Sequence, residues 1–324
     1  MSGQLWATDS LGGFFYSRNL SKKLRKAVQP MTKFRQFCDI KDASQQGKKR
    51  GDLFTWDVVN NVAVNGTRLT ETNTIPETNF TIAQGTLTMV ELGNSVPYTG
   101  KLEDLSQFDV GDSVESALRD DAVKALDREA WIQFNSCALR VIASSGTDTA
   151  AIQSYTNGTV TGTNTVAYSN NHAKSVVDFM KERNIPAYTG DDYYAIAWPS
   201  TLRGFKNNLE TIKQYSSEGF SMIKNGEVGR YENMRYVEQT NVAKGITTDN
   251  GQTGTAWSQA KSDWIFFLGK ETVAEAMATP EEIRAKIPTD FGRSKGVAWY
   301  YLGGFGLCHT QAAQCRVVKW DSQV

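Results

Sequence analysis

Histidine is the scarcest chemically useful residue in this sequence: His172 and His309 are the only two in 324 positions. So few, so far apart, exclude the paired-histidine helix of a zinc protease. No Gly-x-Ser-x-Gly elbow occurs to present a nucleophilic serine. Cysteine is scarce too. Cys38, Cys137, Cys308 and Cys315 are too scattered for a disulfide framework, so reduced thiols and an intracellular site of folding are expected. No apolar run approaches the ~18 residues that span a bilayer. The start, MSGQLWATDS, lacks the charged residues and apolar run of a signal peptide, so neither membrane contact nor export is expected. Without export, Asn65-Gly-Thr67, Asn79-Phe-Thr81 and Asn157-Gly-Thr159 are turn chemistry and not glycosylation acceptors. Net charge is missing as well, the formal sum being zero.

What is present is core material, with 40% hydrophobic and 11% aromatic residues, and a local charge asymmetry. Residues 1–50 hold eleven Lys/Arg against Asp9, Asp39 and Asp42. That imbalance predicts a basic arm lying on an acidic neighbour or on nucleic acid, with Lys22, Lys23, Arg25 and Lys26 as candidate DNA contacts. Gly12-Gly13 and Pro30 bound a short basic helix over 20–28. Phe14, Phe15, Tyr16, Phe34 and Phe37 find nothing local to pack on, which predicts docking elsewhere in the protein or on another copy.

The longest helical pattern runs from Asp112 to Gly146. Asp112 and Glu115 have capping-box spacing, and Leu118, Ala122, Leu126, Ala130, Phe134, Cys137 and Val141 draw one apolar stripe. At 1.5 Å per residue this is a beam of roughly 50 Å. Glu115/Arg119 and Asp120/Lys124 are spaced as ion pairs. Charges concentrate before Ala130, so the first half is expected along the outside, and the second half under strands at 296–320.

Before the helix, Phe54, Trp56 and Val58 alternate with Thr55 and Asp57, and alternation returns over 86–92. Two strands therefore flank a Thr/Asn/Gly-rich apex at 65–79 that includes Arg68 and Glu71. Ordering about 50 residues costs roughly 50–100 kcal/mol, and a two-stranded ribbon is marginal alone. This one is expected to be held by other surfaces, either as a grip on neighbours or as a lid. Residues 94–110 read as a turn-rich bridge and 147–171 as a surface loop or edge hairpin. Helices are predicted over 171–183 and 201–212 and strands over 193–198, 230–240 and 264–268. Thr279-Pro280-Glu281-Glu282 reads as a brief helix, and strands over 296–307 and 315–320 close the chain.

Catalytic candidates are sparse. Cys308-His309 with Cys315 makes an incomplete metal corner, Asp191-Asp192 reads as a solvated turn, and Gly303-Gly304-Phe-Gly306 lacks nucleotide-loop spacing and predicts a strand approached closely by another backbone. No catalytic residue, metal or cofactor is expected.

Three motifs carry a family likeness. Glu91-Leu-Gly93-Asn-Ser-Val96-Pro-Tyr-Thr99 leads into Asp109 and the long helix. Tyr193-Tyr-Ala-Ile-Ala-Trp-Pro199-Ser-Thr-Leu202-Arg203 is a strand ending in proline before a helix, and Asn225-Gly226-Glu227-Val228-Gly229-Arg230-Tyr231-Glu232 is a turn before a strand. Together with the order of parts they resemble the major capsid proteins of tailed bacteriophages, the Hong Kong 97 fold, and within it the branch typified by the coat protein of phage N-four.

The resemblance implies an α+β capsid fold with an N-terminal arm (1–50), an extended loop (51–100), a peripheral domain with a spine helix (101–146 and 286–324) and an axial α/β domain (147–285). It implies self-assembly into pentamers and hexamers of an icosahedral head around double-stranded DNA, in virions made in a bacterial cytoplasm. Phe14, Phe15, Tyr16, Phe54, Trp56, Val58, Arg68, Glu71, Glu115 and Arg119 become candidate subunit contacts. Portal and cement proteins are implied partners. No long charged helix precedes the arm, which implies a separate scaffolding protein or a trimmed chain. An α/β enzyme with a hairpin lid and a basic-arm DNA-binding protein are the alternatives.

Overall fold

The computed structural model describes residues 29–43, 51–60, 62, 64–72, 74–106, 108–144, 151–161, 166–213, 230–242, 263–288 and 290–321. Strand β1 (Cys38–Asp42) is followed by β2 (Leu53–Val59), β3 (Ile82–Thr88) and β4 (Val90–Thr99). Helices α1 (Gly100–Leu105) and α2 (Val110–Asn135) come next, then β5 (Leu139–Ala143), β6 (Ile152–Tyr155), α3 (Asn170–Glu182), β7 (Tyr193–Ala197) and α4 (Arg203–Lys213). The chain closes with β8 (Arg230–Tyr231), β9 (Met234–Glu238), β10 (Ile265–Leu268), β11 (Val273–Ala285), β12 (Ser294–Leu307) and β13 (Val317–Trp320). These build a four-stranded sheet, β1-β11-β12-β4, a seven-stranded sheet, β6-β5-β13-β10-β7-β9-β8, and the separate ribbon β2-β3. The mixed α+β class expected from the sequence holds.

Helix α2 joins the two sheets. It spans about 39 Å at 1.5 Å per residue and is shorter than the expected beam. Asp109, not Asp112, caps it, its carboxylate accepting from the Asp112 N–H at 3.1 Å. The helix stops at Asn135, where the Ser136 hydroxyl donates to the Gln133 carbonyl at 2.8 Å and Arg140 to the Asn135 carbonyl at 2.8 Å. Cys137 and Val141 continue the buried pattern, but from Leu139 the chain is strand β5, running parallel to β13. Buried strand and buried helix look alike in a short apolar run, and the β-branched Val141-Ile142 pair decides for strand here.

The orientation of α2 also differs from expectation. Its charged half meets the closing strand β12, with Trp299 Nε1 donating to Asp121 at 3.0 Å. Its apolar half faces β10 of the other sheet: Phe134 lies 6.3 Å from Phe266 and Trp131 6.4 Å from Trp264. The closing strands do not stay together, because β12 joins the four-stranded sheet and β13 the seven-stranded one.

Three further segments depart from the pattern. Of the expected turn-rich bridge, residues 94–99 are the second half of β4, which carries ten residues through Pro97 along β12. Thr279-Pro280-Glu281-Glu282 is no helix. It lies within β11, where register shifts between Met277 and Glu282 accommodate a proline that has no N–H for the ladder. The expected strand 230–240 is a hairpin, β8-β9, turned at Glu232 and Asn233, both left-handed at φ 49° and 58°.

Candidate functional site

The ribbon β2-β3 projects from the body, and its two faces do different things. In the register Phe54↔Leu87, Trp56↔Gly85 and Val58↔Ala83, one face turns toward this chain's own β11 and β12. The Trp56 indole lies flat on Gly85, where an added Cβ would come within 2.3 Å of it, and donates to the Cys308 carbonyl at 3.0 Å. Beneath it, the glycine run of β12 lets β3 approach: a Cβ on Gly304 would meet the Thr88 carbonyl at 2.4 Å, and one on Gly306 the Leu87 Cβ at 2.8 Å. The close backbone approach expected at Gly303-Gly304-Phe-Gly306 is thus the seat of the ribbon. Of Phe54, Trp56 and Val58, all expected as contacts to neighbours, Phe54 and Trp56 help fix the ribbon to its own subunit, and Val58 faces a cleft beside Cys308 and His309.

The outward face and the apex are the surfaces left open. Leu53, Val59, Val62, Val64, Leu69, Ile75, Phe80 and Ile82 are all exposed, Val64 at 97%. Beyond Val59 the two arms are tied mainly by side chains: the Asn60 amide donates to Thr81 Oγ1 and that of Asn65 to Thr78 Oγ1, each at 2.9 Å. Arg68 and Glu71 are exposed at the apex. Eight apolar side chains on one thin ribbon exceed what a free surface ordinarily scatters singly. A Thr/Asn-rich reading of the apex missed them. Period-two alternation identifies two faces but not which one meets the body.

A second feature anchors the N-terminal segment. Phe34 is fully buried among Phe134, Trp264 and Phe266, with ring centroids 5.7–6.0 Å away, and Phe37 packs on Tyr188 and Tyr194. Both were expected to dock at a distance, and both do so within the chain. The Arg35 guanidinium grips the buried Glu275 at 2.8 Å and Glu281 at 2.8 Å, and Tyr301 donates to Glu275 at 3.0 Å. The bulged part of β11 is what brings Glu281 to this cation. Burial works to lower the Arg35 pKa, but hydrogen bonds to Glu281 and Glu275 outweigh it and raise it. The Arg35 hydrogen bond holds Glu281 below the usual carboxylate value. The Arg35 backbone N–H donates to Asp127 at 3.2 Å and the Asn241 amide to the same carboxylate at 3.0 Å, so one residue of α2 ties together three chain segments.

The third feature is the tip of the β11-β12 arm. Asp290, Phe291 and Gly292 follow one another in the left-handed region, at φ 55°, 52° and 87°. For the two non-glycine residues this costs about 1–2 kcal/mol each. The result is a Phe291 side chain standing 106% exposed, near an Ile287 that is 84% exposed.

The residues weighed for catalysis do not converge. Asp192 is bound by Arg230 at 2.6 Å and Arg235 at 2.7 Å. His172 lies tilted against Trp320, ring centroids 4.9 Å apart, and takes the Ser169 N–H on Nδ1 at 3.3 Å. Cys308 lies under the ribbon, where burial pushes its thiol up to about 12, as it does for Cys137. A thiol so raised carries almost no thiolate at neutral pH. Among the described residues no group of three His, Cys, Asp or Glu side chains is placed to hold a metal. No helix among them is long and apolar enough to cross a membrane.

No family model matches the chain, and no curated protein matches it by sequence. Solved structures do. A chain of the capsid of cyanophage P-SCSP1u is 13% identical and superposes with a TM-score of 0.69, over 95% of this chain and 93% of that one. The head structure of Helicobacter pylori bacteriophage KHP40 gives 0.66 at 11% identity, over 96% of both chains. The capsid of Ralstonia phage GP4 gives 0.64 at 13% identity, over 98% of both. The chain has a phage capsid fold.

Of the residues expected at contacts of this capsid fold, Glu115 and Arg119 form an exposed pair, Arg119 Nε lying 3.0 Å from the carboxylate. Phe14, Phe15, Tyr16, Lys22, Lys23, Arg25 and Lys26 lie outside the described residues, as do the expected basic helix and the Asn225–Gly229 turn.

Proposed function

We propose that this chain is a major capsid protein, the repeating unit of an icosahedral phage head that encloses double-stranded DNA. The observation that carries the reading is the projecting ribbon. A subunit that seats one ribbon face on glycines and leaves eight apolar side chains bare on the rest is built to be completed by neighbours. Full-length likeness to chains of phage capsids supports the same reading, and the three sequence motifs support the N-four branch.

In this reading the four-stranded sheet with α1 and α2 is the peripheral domain, and the seven-stranded sheet with α3 and α4 is the axial domain. That moves five elements across the expected boundaries: β1, β4 and β11 go with the peripheral part and β5 and β13 with the axial part. The arm is residues 1–50, with Lys22, Lys23, Arg25 and Lys26 as its candidate contacts to nucleic acid. Copies join as pentamers and hexamers, aided by scaffolding, portal and cement proteins. The role is structural and the place is the virion shell.

The test is assembly. Expressed alone or with its neighbouring phage proteins, the chain should form shells, sheets or capsomers visible by negative-stain microscopy. Deleting residues 65–79 should leave a folded subunit that forms no closed shell. Normal particles from the deletion variant, or a monodisperse monomer from the intact chain under every condition, would overturn the reading.

A further inference from the structure

We propose that Asn65-Gly66, at the ribbon apex, is a self-modifying site: the chain converts Asn65 to aspartate and isoaspartate with water as the co-reactant. The consequence for assembly rests on the coat-protein reading; the conversion itself does not. The sequence holds four Asn-Gly pairs, at Asn65, Asn157, Asn225 and Asn250, of which the last two lie outside the described residues. Asn65 and Asn157 both stand exposed at the head of the same Asn-Gly-Thr triplet, so neither composition nor exposure separates them. Hydrogen bonding does.

The reaction begins when the backbone nitrogen of the glycine attacks the asparagine Cγ. An N–Cγ bond forms, the Cγ–Nδ2 bond breaks, the glycine amide proton passes to solvent and Nδ2 departs as ammonia. Water then opens the five-membered imide at one carbonyl or the other, giving aspartate or isoaspartate. At residues 157–158 the groups are already committed. The Gly158 N–H donates to the Ala138 carbonyl at 2.9 Å, and Asn157 Oδ1 accepts from the Thr159 N–H at 3.1 Å. Among the described residues the Gly66 N–H has no such partner. The ribbon ladder ends at Val59↔Ile82, with the Asn60 N–H donating to the Thr81 carbonyl at 3.0 Å just beyond it. Asn65 itself is tied through Nδ2, which donates to Thr78 Oγ1 at 2.9 Å and leaves Cγ open to attack. A Cβ built on Gly66 would meet nothing within 4 Å, so no neighbour blocks the approach. Conversion removes the donor to Thr78. It also adds a negative charge to an apex that already carries Glu71 and Glu77, and isoaspartate lengthens the backbone by a methylene. Covering that charge with a neighbouring copy carries a desolvation cost.

Peptide mapping by mass spectrometry of the full chain, incubated unassembled at mildly alkaline pH, reads each asparagine separately. Asn65 should convert at least about tenfold faster than Asn157, where two hydrogen bonds must break first. Gly66→Ala places a methyl group beside the closing ring. Because Gly66 lies outside the left-handed region and has space around it, the variant should lose most of the conversion at an unchanged unfolding midpoint. Equal rates at Asn65 and Asn157, or a wild-type rate in Gly66→Ala, would overturn the site. Shell yield from aged wild-type chain should fall in proportion to conversion, while aged Gly66→Ala keeps the yield of fresh chain. Undiminished yield from fully converted chain would overturn the assembly consequence and leave the modification standing. Failure of fresh chain to form any shell would remove the coat reading and that consequence with it, while the rates at Asn65 and Asn157 still decide the modification.

Discussion

Arg35→Met tests how strongly the N-terminal segment is clasped. The substitution keeps most of the apolar stem and removes the guanidinium. Glu275 then remains fully buried with its charge, and of the partners at 2.8–3.1 Å only the Tyr301 hydroxyl at 3.0 Å is left. Breaking a buried ion pair from one side costs about 3–5 kcal/mol, most of it the stranded charge. With an unfolding entropy of roughly 2.1 cal/mol/K per residue, the whole chain has about 0.7 kcal/mol/K, so the midpoint should fall by about 4–7 °C. A second variant, Arg35→Met with Glu275→Gln, keeps an acceptor for Tyr301 and removes the stranded charge. It should recover about half of that loss or more. The assay is thermal unfolding of the unassembled chain followed by tryptophan fluorescence. A shift below about 1.5 °C for Arg35→Met, or a double variant no more stable than the single one, would refute the account.

Other consequences are as direct. Gly85→Val should force the Trp56 indole off its seat and break its bond to Cys308, costing about 1–3 kcal/mol and red-shifting tryptophan emission. His309 sits under the ribbon with its pKa lowered from 6.5, first by burial and then by Arg316. Its folded form binds the proton less readily than its unfolded form, so its contribution to stability is complete above pH 6.5 and is lost as pH falls through the lowered folded value. The wild-type midpoint should therefore drop relative to His309→Gln as pH falls below 6.5, and parallel pH profiles would exclude the effect. Glu281 behaves in the same sense at lower pH: its lowered pKa gives stability above the usual 4.5 that is lost as pH falls through the depressed value. Glu281→Gln should flatten that acid limb in equilibrium unfolding.

Sequence patterning located the elements that a single period defines. The stripe Leu118, Ala122, Leu126, Ala130, Phe134 is buried as one face of α2, and Tyr193–Ala197 and Ile265–Leu268 lie side by side as buried strands. What it missed was set by partners distant in the chain. Residues 139–143 become strand because β13, some 180 residues later, offers a parallel edge. Pro280 reads as a helix start until β12 is found beside it, and β4 reads as turns until the same strand covers it. The inward face of the ribbon was signalled only by the glycines that receive it. Exposed Phe291 gave no local signal at all, since its character comes from a turn of three left-handed residues.

The path of the first described residues has a mechanical consequence. A pull at Gln29 reaches the body through Met31, whose N–H and carbonyl are held by Thr240, and then through Phe34, lodged between α2 and the seven-stranded sheet. Behind it, Cys38–Asp42 lies parallel to β11 over five paired residues, so tension along the strand loads that ladder in shear and its bonds share the force instead of opening one by one. The segment from Met31 to Asp42 is therefore anchored on both sheets. A load applied at Gln29 would be delivered to the centre of the molecule, not to its rim.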